Sequence, residues 1–266
     1  MASPDLFRSI RCFLLDLDGT FYLGDRLLPG ARDLIEFFEA RGIDYIFLTN
    51  NSSRNPRKYL ERLHKFGIPV QPKHIFTSAD ATLHYLSKNF PGARLYLLGT
   101  PDLEEQFEQA GFPLTDEAPD VIVAGFDTTL TYNKLWKLCT WVSRGLPYIA
   151  THPDINCPTE DGFMPDIGAV IAFVQASTNR SPDIIIGKPF PPMVEALCER
   201  FNLSPGQMCM VGDRLYTDIA MKNAGVNTVL VLSGETRLED LTSSPYKPDF
   251  IFSNLVDLLE TLQKIL

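Results

Sequence analysis

The stretch Phe13-Leu14-Leu15-Asp16-Leu17-Asp18-Gly19-Thr20 constrains this chain more than any other. The apolar run Cys12-Phe13-Leu14-Leu15 has the length and abrupt polar ending of a fully buried strand. It stops at two carboxylates one residue apart and then at Gly19, which permits a tight turn sterically. In an open α/β sheet, ligands bind just beyond the carboxyl ends of the strands, so Asp16 and Asp18 fall where chemistry happens. Two acids this close repel one another without a cation or a shared proton, and the arrangement suits a hard divalent ion with oxygen ligands. Taken alone, the pattern fits a strand end followed by an acidic turn at least as well.

The same rhythm recurs down the chain. Pro29-Gly30 precede a helix with Leu34, Phe37 and Phe38 on its apolar side, ended by Gly42. The strand Tyr45-Ile46-Phe47-Leu48 runs directly into Thr49-Asn50-Asn51-Ser52. Pro56 opens a helix closed by Gly67, a short strand His74-Ile75-Phe76-Thr77 follows, and a helix passes through Leu83 and Leu86. Strands alternating with helices at this spacing predict βαβ units and a parallel sheet. Phe90-Pro91-Gly92 marks a candidate boundary, after which the rhythm restarts with strands over residues 94–98, 121–123 and 148–150. A helix over 132–144 carries Leu135, Leu138, Cys139 and Val142 at helical spacing, with Trp136 and Trp141 nearby. That stripe reads as core or subunit contact rather than a ligand surface. Residues 151–166 read as a polar loop, long for a compact domain, and such loops are often functional. The chain then gives Ile184-Ile185-Ile186, Gly187-Lys188-Pro189, a helix to Phe201, and Met208-Cys209-Met210-Val211 before Gly212-Asp213. Strands over 228–232 and 250–252 and a helix over 255–265 complete it.

Charge narrows the function classes. Lys and Arg number 24 against 33 Asp and Glu, a net charge of −9, and no basic cluster offsets it. Nucleic acid and anionic membrane are therefore excluded as expected partners. An anionic substrate would need local cations, and screening over roughly 8 Å at physiological salt makes that remedy sufficient. The 45% hydrophobic and 21% charged content is that of a globular chain, which at 266 residues can form one large or two modest domains. Five scattered cysteines without a C-x-x-C predict free thiols in a reducing cytosol. No basic region followed by an apolar stretch opens the sequence, and no apolar run reaches ~18 residues, so neither a signal peptide nor a membrane span is expected.

Four polar clusters each follow an apolar strand: Asp16 with Asp18, residues 49–52, Lys188, and Asp213 with Asp218. Strand ends of one parallel sheet share an edge, so these clusters are expected to meet. Together they supply a nucleophilic carboxylate, hydroxyl and amide donors, one cation and further metal-ligand carboxylates. Phosphoryl transfer calls for that inventory, because its catalysis is largely positioning and charge stabilisation. No G-x-S-x-G and no H-E-x-x-H is present. The four-residue spacing of Asp218 and Lys222 also fits a helical i,i+4 pair, and Asn50 and Asn51 also fit a turn.

These clusters, in this order, resemble the four motifs of the haloacid dehalogenase (HAD) superfamily: Asp16-Leu17-Asp18-Gly19-Thr20, Thr49, Lys188 in Gly187-Lys188-Pro189, and Gly212-Asp213 through Asp218. Lys188 lies 139 positions beyond Thr49, so a whole domain is inserted between motifs two and three. With Thr49-Asn50-Asn51-Ser52, that placement resembles the NagD-type, p-nitrophenylphosphatase branch over essentially the full length. The resemblance implies a Rossmann-like α/β parallel-sheet core over residues 1–79 and 183–266, with an inserted α/β cap of type C2 over 80–182.

It further implies a cytoplasmic, Mg²⁺-dependent phosphatase acting on small phosphate monoesters through an aspartyl-phosphate. Asp16 is then the nucleophile and Asp18 the general acid and base. Mg²⁺ is held by Asp16, the backbone carbonyl of Asp18, and Asp213, with Asp218 orienting a water or a ligand. Thr49, Asn50 and the amide of Asn51 hold the phosphoryl oxygens, and Lys188 neutralises Asp16 and the transferring group. Substrate choice falls to the cap, where residues 151–158, Asn156 and Cys157 among them, and Gly168 are candidate contacts, residues 125–127 are a weaker one, and His152 reads as a hydrogen-bonded loop histidine before a substrate ligand. A homodimer through the cap is a further expectation. A phosphomutase on the same core, and a phosphorylated switch or sugar-phosphate-binding protein without turnover, are the alternatives.

Overall fold

The computed structural model describes residues 3–159 and 162–266; residues 160–161, inside the loop expected over 151–166, lie outside the described residues. In chain order the strands are β1 Cys12–Leu15, β2 Tyr22–Leu23, β3 Arg26–Leu27, β4 Asp44–Thr49, β5 Ile75–Thr77, β6 Leu95–Leu98 and β7 Val121–Ala124. They continue as β8 Tyr148–Ala150, β9 Asn156–Thr159, β10 Gly162–Pro165, β11 Ile184–Ile185, β12 Met208–Gly212, β13 Asn227–Val231 and β14 Phe250–Phe252. The helices are α1 Ala31–Arg41, α2 Pro56–Lys65, α3 Ser78–Asn89, α4 Pro101–Gln109 and α5 Tyr132–Ser143. After these come α6 Ile167–Thr178, α7 Pro191–Phe201, the short α8 Asp240–Ser243 and α9 Leu255–Ile265. The elements expected from periodicity are present, and among the described residues no helix is long and apolar enough to cross a membrane.

The chain divides into two compact units, the first comprising Met1–Thr49, Leu60–Phe76 and Lys188–Leu266, the second Asn50–Tyr59 and Thr77–Gly187. The first unit is built on a six-stranded sheet in the order β14-β13-β12-β1-β4-β5. Strands β14, β13, β12, β1 and β4 run parallel. β1 is buried along its whole length because it lies inside the sheet and both faces are covered, which is why it reads as continuous apolar sequence. Phe13 on it stacks on Phe38 of α1 with ring centroids 4.8 Å apart, and Phe7 stacks on Phe250 at 4.5 Å. Such pairs add about 0.5–1.5 kcal/mol beyond the area they bury.

The sheet order explains where a ligand belongs. From β1 the chain builds outward to β4 and β5, then returns to build β12, β13 and β14 on the other side. The reversal lies between β1 and β12, and a crevice opens beyond the carboxyl ends of strands at such a switch point. Asp16 follows β1 and Asp213 follows β12.

The second unit holds a four-stranded parallel sheet, β11-β8-β7-β6, over a core that includes Tyr96, Ile122, Leu138 and Tyr148. Phe90-Pro91-Gly92 is a turn inside this unit rather than a boundary. On α5, Trp141 is buried as expected, whereas Trp136 is 67% exposed. The stretch 151–166 departs from the expected irregular loop. Asn156–Thr159 and Gly162–Pro165 pair as an antiparallel ladder, with Cys157 opposite Met164. Its residues are almost all exposed, so neither face shows the apolar alternation from which a strand is read. Asn50–Tyr59 belongs to this unit because its polar groups are satisfied there. Asn50 and Ser52 bond to Asp154 and Thr151, and the Ser53 carbonyl accepts from Thr100 Oγ1.

Candidate active site

In the first unit, four sequence-predicted residues converge. Lys188 Nζ donates to Asp16 Oδ1 and to Asp218 Oδ1 at 2.7 Å each, and to the Leu48 carbonyl at 3.2 Å. The Leu48 carbonyl carried no sequence signal as a partner. Asp16, Asp213 and Asp218 each offer an oxygen within 4.8 Å of the others, and all three are buried. Thr49, at the end of β4 beside β1, is 4% exposed. Lys188 reaches this cluster differently from the shared strand-edge expectation. The strand before it, β11, belongs to the four-stranded sheet, so its ammonium is not presented by an end of the sheet carrying Asp16.

The Asp218–Lys222 pair expected as an alternative does not form: Lys222 pairs with Asp249 at 2.6 Å, while Asp218 accepts Lys188 on Oδ1 and the Arg214 N–H on Oδ2. Asp18 is half-buried on the turn after β1, where the Gly19 N–H donates to the Tyr22 carbonyl at 2.9 Å. Gly19 takes φ +90 there, and a Cβ would lie 2.5 Å from Asp213 Oδ2, so backbone and space both require glycine.

Electrostatics follow from three buried carboxylates facing one ammonium. Burial raises the Asp16 carboxyl well above the ordinary range; Lys188 pulls it back, and Asp218 and Asp213 push it up again. Burial by itself lowers the Lys188 ammonium, but Asp16 and Asp218 outweigh it and hold the lysine charged. Burial, then the Asp218 charge, pushes Asp213 up to about 6, opposed by the Glu235 N–H, Arg214 and the Thr20 hydroxyl. An all-oxygen donor set carrying surplus negative charge fits a hard divalent cation. Ionising such groups in the folded state costs stability in the absence of a cation. For Asp213, raised from the ordinary 3.8 to about 6, the contribution is present below pH 3.8 and lost as pH rises through about 6. It amounts to about 3 kcal/mol. The metal-free protein is therefore expected to melt lower at pH 7.5 than at pH 5, with Asp213→Asn flattening the fall. A metal-free melting temperature that rises over this range, equally in the wild type and Asp213→Asn, would contradict the assignment.

The other predicted residues lie in the second unit. Asn50 Nδ2 donates to Asp154 Oδ1 at 3.0 Å, and the Asn50 carbonyl accepts from Ser78 Oγ. Asn51 Oδ1 accepts from the Ser53 N–H at 2.9 Å, the Asx-turn its residue type allows. Its Nδ2 lies 3.8 Å from Cys157 Sγ. Asn156 sits at the exposed start of β9. Ser52, read as a candidate hydroxyl donor, is fully buried and committed to structure, accepting from the Phe126 N–H at 2.9 Å and lying 3.1 Å from Thr151 Oγ1. His152 is a buried scaffold residue. Its Nε2 lies 2.9 Å from Asp166 Oδ1 and its Nδ1 lies 2.9 Å from Thr151 Oγ1. His152, Asp154 and Asp166 also offer ligand atoms within 4.8 Å of one another; His152 pairs with Asp166, and Asp154 accepts from Asn50. Asp127, in the weaker stretch 125–127, pairs with Lys134 at 2.6 Å.

Sequence reasoning assigned no role to residues 233–236, whose backbone and side chains touch Asp213 and Gly19. The available signal was a strand ending in Ser233-Gly234-Glu235-Thr236, the same small-polar signature that follows β1 and β4. Thr20 was visible in the first motif but not as a partner of Asp213, which it meets at 3.0 Å.

Comparison with known proteins agrees with this architecture. Residues 13–113 match the family model described as haloacid dehalogenase-like hydrolase, and residues 185–258 match one described as HAD-hydrolase-like. An acid sugar phosphatase of Staphylococcus aureus (strain MRSA252) is 36% identical over 259 residues, 97% of this chain and 100% of that protein. A 4-nitrophenylphosphatase structure from Thermotoga maritima superposes with a TM-score of 0.93 at 46% identity, covering 96% of this chain and 98% of that one. NagD from E. coli K-12 superposes with a TM-score of 0.86 at 30% identity, covering 93% and 98%. The chain belongs to the haloacid dehalogenase-like hydrolase family and is a phosphatase of its NagD-type, p-nitrophenylphosphatase branch.

Proposed function

We propose that the chain hydrolyses small phosphate monoesters through an aspartyl-phosphate on Asp16, with Mg²⁺ as cofactor. The observation that carries this reading is the Lys188 ammonium between Asp16 and Asp218, with Asp213 inside metal-ligand reach of both acids. The names of the relatives, an acid sugar phosphatase and 4-nitrophenylphosphatases, support sugar phosphates as substrates and p-nitrophenyl phosphate as a probe. Polyol, nucleotide and cofactor phosphates remain in the same class.

In this reading Asp16 attacks phosphorus while the bond to the ester oxygen breaks, and Asp18 gives its proton to that oxygen. Asp18, now a carboxylate, takes a proton from water as the water attacks the phosphoaspartate, which restores Asp16 and releases phosphate. Lys188 holds Asp16 in place and offsets its charge. Asp218 acts on Asp16 through Lys188. Thr49, Asn50 and the Asn51 amide are the proposed holders of phosphoryl oxygens, on the strength of their place in the chain. Asp16, Asp213 and the Asp18 carbonyl would hold Mg²⁺, which supplies charge neutralisation at the phosphoryl oxygens when bound.

Phosphate release should be measured across sugar, polyol, nucleotide and cofactor phosphates, with Mg²⁺ and with chelator. Mg²⁺-dependent turnover is the expected result, and Asp18→Asn is expected to lose roughly 10²–10⁴-fold in rate while keeping its metal. Turnover indifferent to chelation would remove the metal, and a stable phosphoaspartate without phosphate release would make the protein a switch. Tyr132 and Trp136, 78% and 67% exposed one turn apart on α5, support the expected dimer through the second unit. A monomer mass by light scattering at all concentrations would end that part of the reading.

A further inference from the structure

We infer that residues 233–236, the loop after β13, form with Thr20 a clamp that sets the orientation of the Asp213 carboxylate for its metal. Gly234 is the position that makes the fit possible. The inference rests on the reading of Asp213 as a metal ligand.

Each Asp213 oxygen has its own donor from a different part of the chain. Thr20 Oγ1 donates to Oδ1 at 3.0 Å, and the Glu235 N–H donates to Oδ2 at 2.7 Å. The Thr236 N–H meets the Asp213 carbonyl at 3.2 Å, so the loop grips the backbone as well as the side chain. Ser233 Oγ donates to the Gly19 carbonyl at 3.0 Å, tying the loop to the turn that carries Asp18. A Cβ at Gly234 would lie 2.0 Å from Asp213 Oδ2 and 2.5 Å from Cγ. Gly234 is not among the residues at positive φ, so the close approach, rather than the backbone, is what excludes a side chain.

A carboxylate has about four lone-pair sites. One neutral donor on each oxygen leaves room for a cation while stopping rotation about the Cβ–Cγ bond. Neutral donors also favour the ionised ligand without adding a competing positive charge. Thr20, Gly234 and the Glu235 amide are therefore positioning residues, acting on the metal through Asp213.

The test titrates the purified full chain with Mn²⁺, following the free ion by electron paramagnetic resonance. The wild type should bind Mn²⁺ and Asp213→Asn should lose it. Gly234→Ala and Thr20→Val should each weaken binding by roughly 10–100-fold, and Thr20→Ser should restore it. In turnover, Gly234→Ala should raise the Mg²⁺ concentration needed for half activation and leave the KM for p-nitrophenyl phosphate at saturating Mg²⁺ unchanged. Where Gly234→Ala fails to fold by circular dichroism, the Thr20→Val and Thr20→Ser pair decides. Wild-type Mn²⁺ affinity in Gly234→Ala and Thr20→Val would overturn the clamp. A wild-type protein that binds no Mn²⁺ would instead overturn the metal reading beneath it.

Discussion

Asp16→Asn is expected to abolish phosphate release and leave the protein folded. An amide is a poor nucleophile and a poor metal ligand, so both proposed duties of the side chain are lost together. Losing even ~4 kcal/mol of transition-state stabilisation lowers the rate about a thousandfold. The fold should tolerate the change for an electrostatic reason. Asp16 is a buried acid whose carboxyl is already held high by burial and by Asp218 and Asp213, so removing its charge relieves repulsion. Lys188 keeps Asp218 and the Leu48 carbonyl as partners. The expected melting temperature at neutral pH is accordingly no lower than that of the wild type. The check is phosphate release beside a thermal melt on one preparation, and near wild-type turnover would sink the mechanism.

Lys188→Met should do the opposite to stability. The ammonium lies 2.7 Å from two buried carboxylates, whose oxygens come within 4.8 Å of each other. At an effective dielectric constant near 20, two unit charges at such a distance repel by about 3–4 kcal/mol. Breaking a buried ion pair by removing one partner typically costs about 3–5 kcal/mol, because a charge is left uncompensated. Denaturation at pH 7.5 should show a loss of that order, shrinking toward pH 5 as the buried Asp16 carboxyl, already held high, takes up its proton. Adding Asp218→Asn should recover part of it, so the pair should couple in a double-mutant cycle. Additive losses, or a loss that does not depend on pH, would mean the lysine acts by packing alone. Turnover should also fall steeply, since Asp16 loses the group that holds it.

How far these residues could be read in advance depended on the range of the interactions involved. The buried strand before Asp16, the helix ends at Gly42 and Gly67, and the alternation of strands and helices were legible because each follows from local pattern. A strand inside a parallel sheet must be apolar throughout, and the polar residues after it must face the sheet edge. The order of the motifs along the chain then carried the family.

What local pattern could not carry was pairing at long range. The reversal of strand order between β1 and β12 places Asp16 beside Asp213, nearly two hundred residues away, and no spacing encodes it. The same holds for Lys188, whose ammonium joins acids on one sheet while its preceding strand pairs in another. The hairpin β9–β10 was hidden because an exposed ladder shows no hydrophobic alternation. Asn50–Tyr59 joined the second unit through hydrogen bonds to residues 47 to 104 positions away. Gly234 is the sharpest case: in the sequence it is one more glycine after a strand, and only the carboxylate lying against it gives it a reason. Periodicity specifies elements, whereas the contacts that hold a reactive carboxylate are set by which strand ends the sheet order brings together.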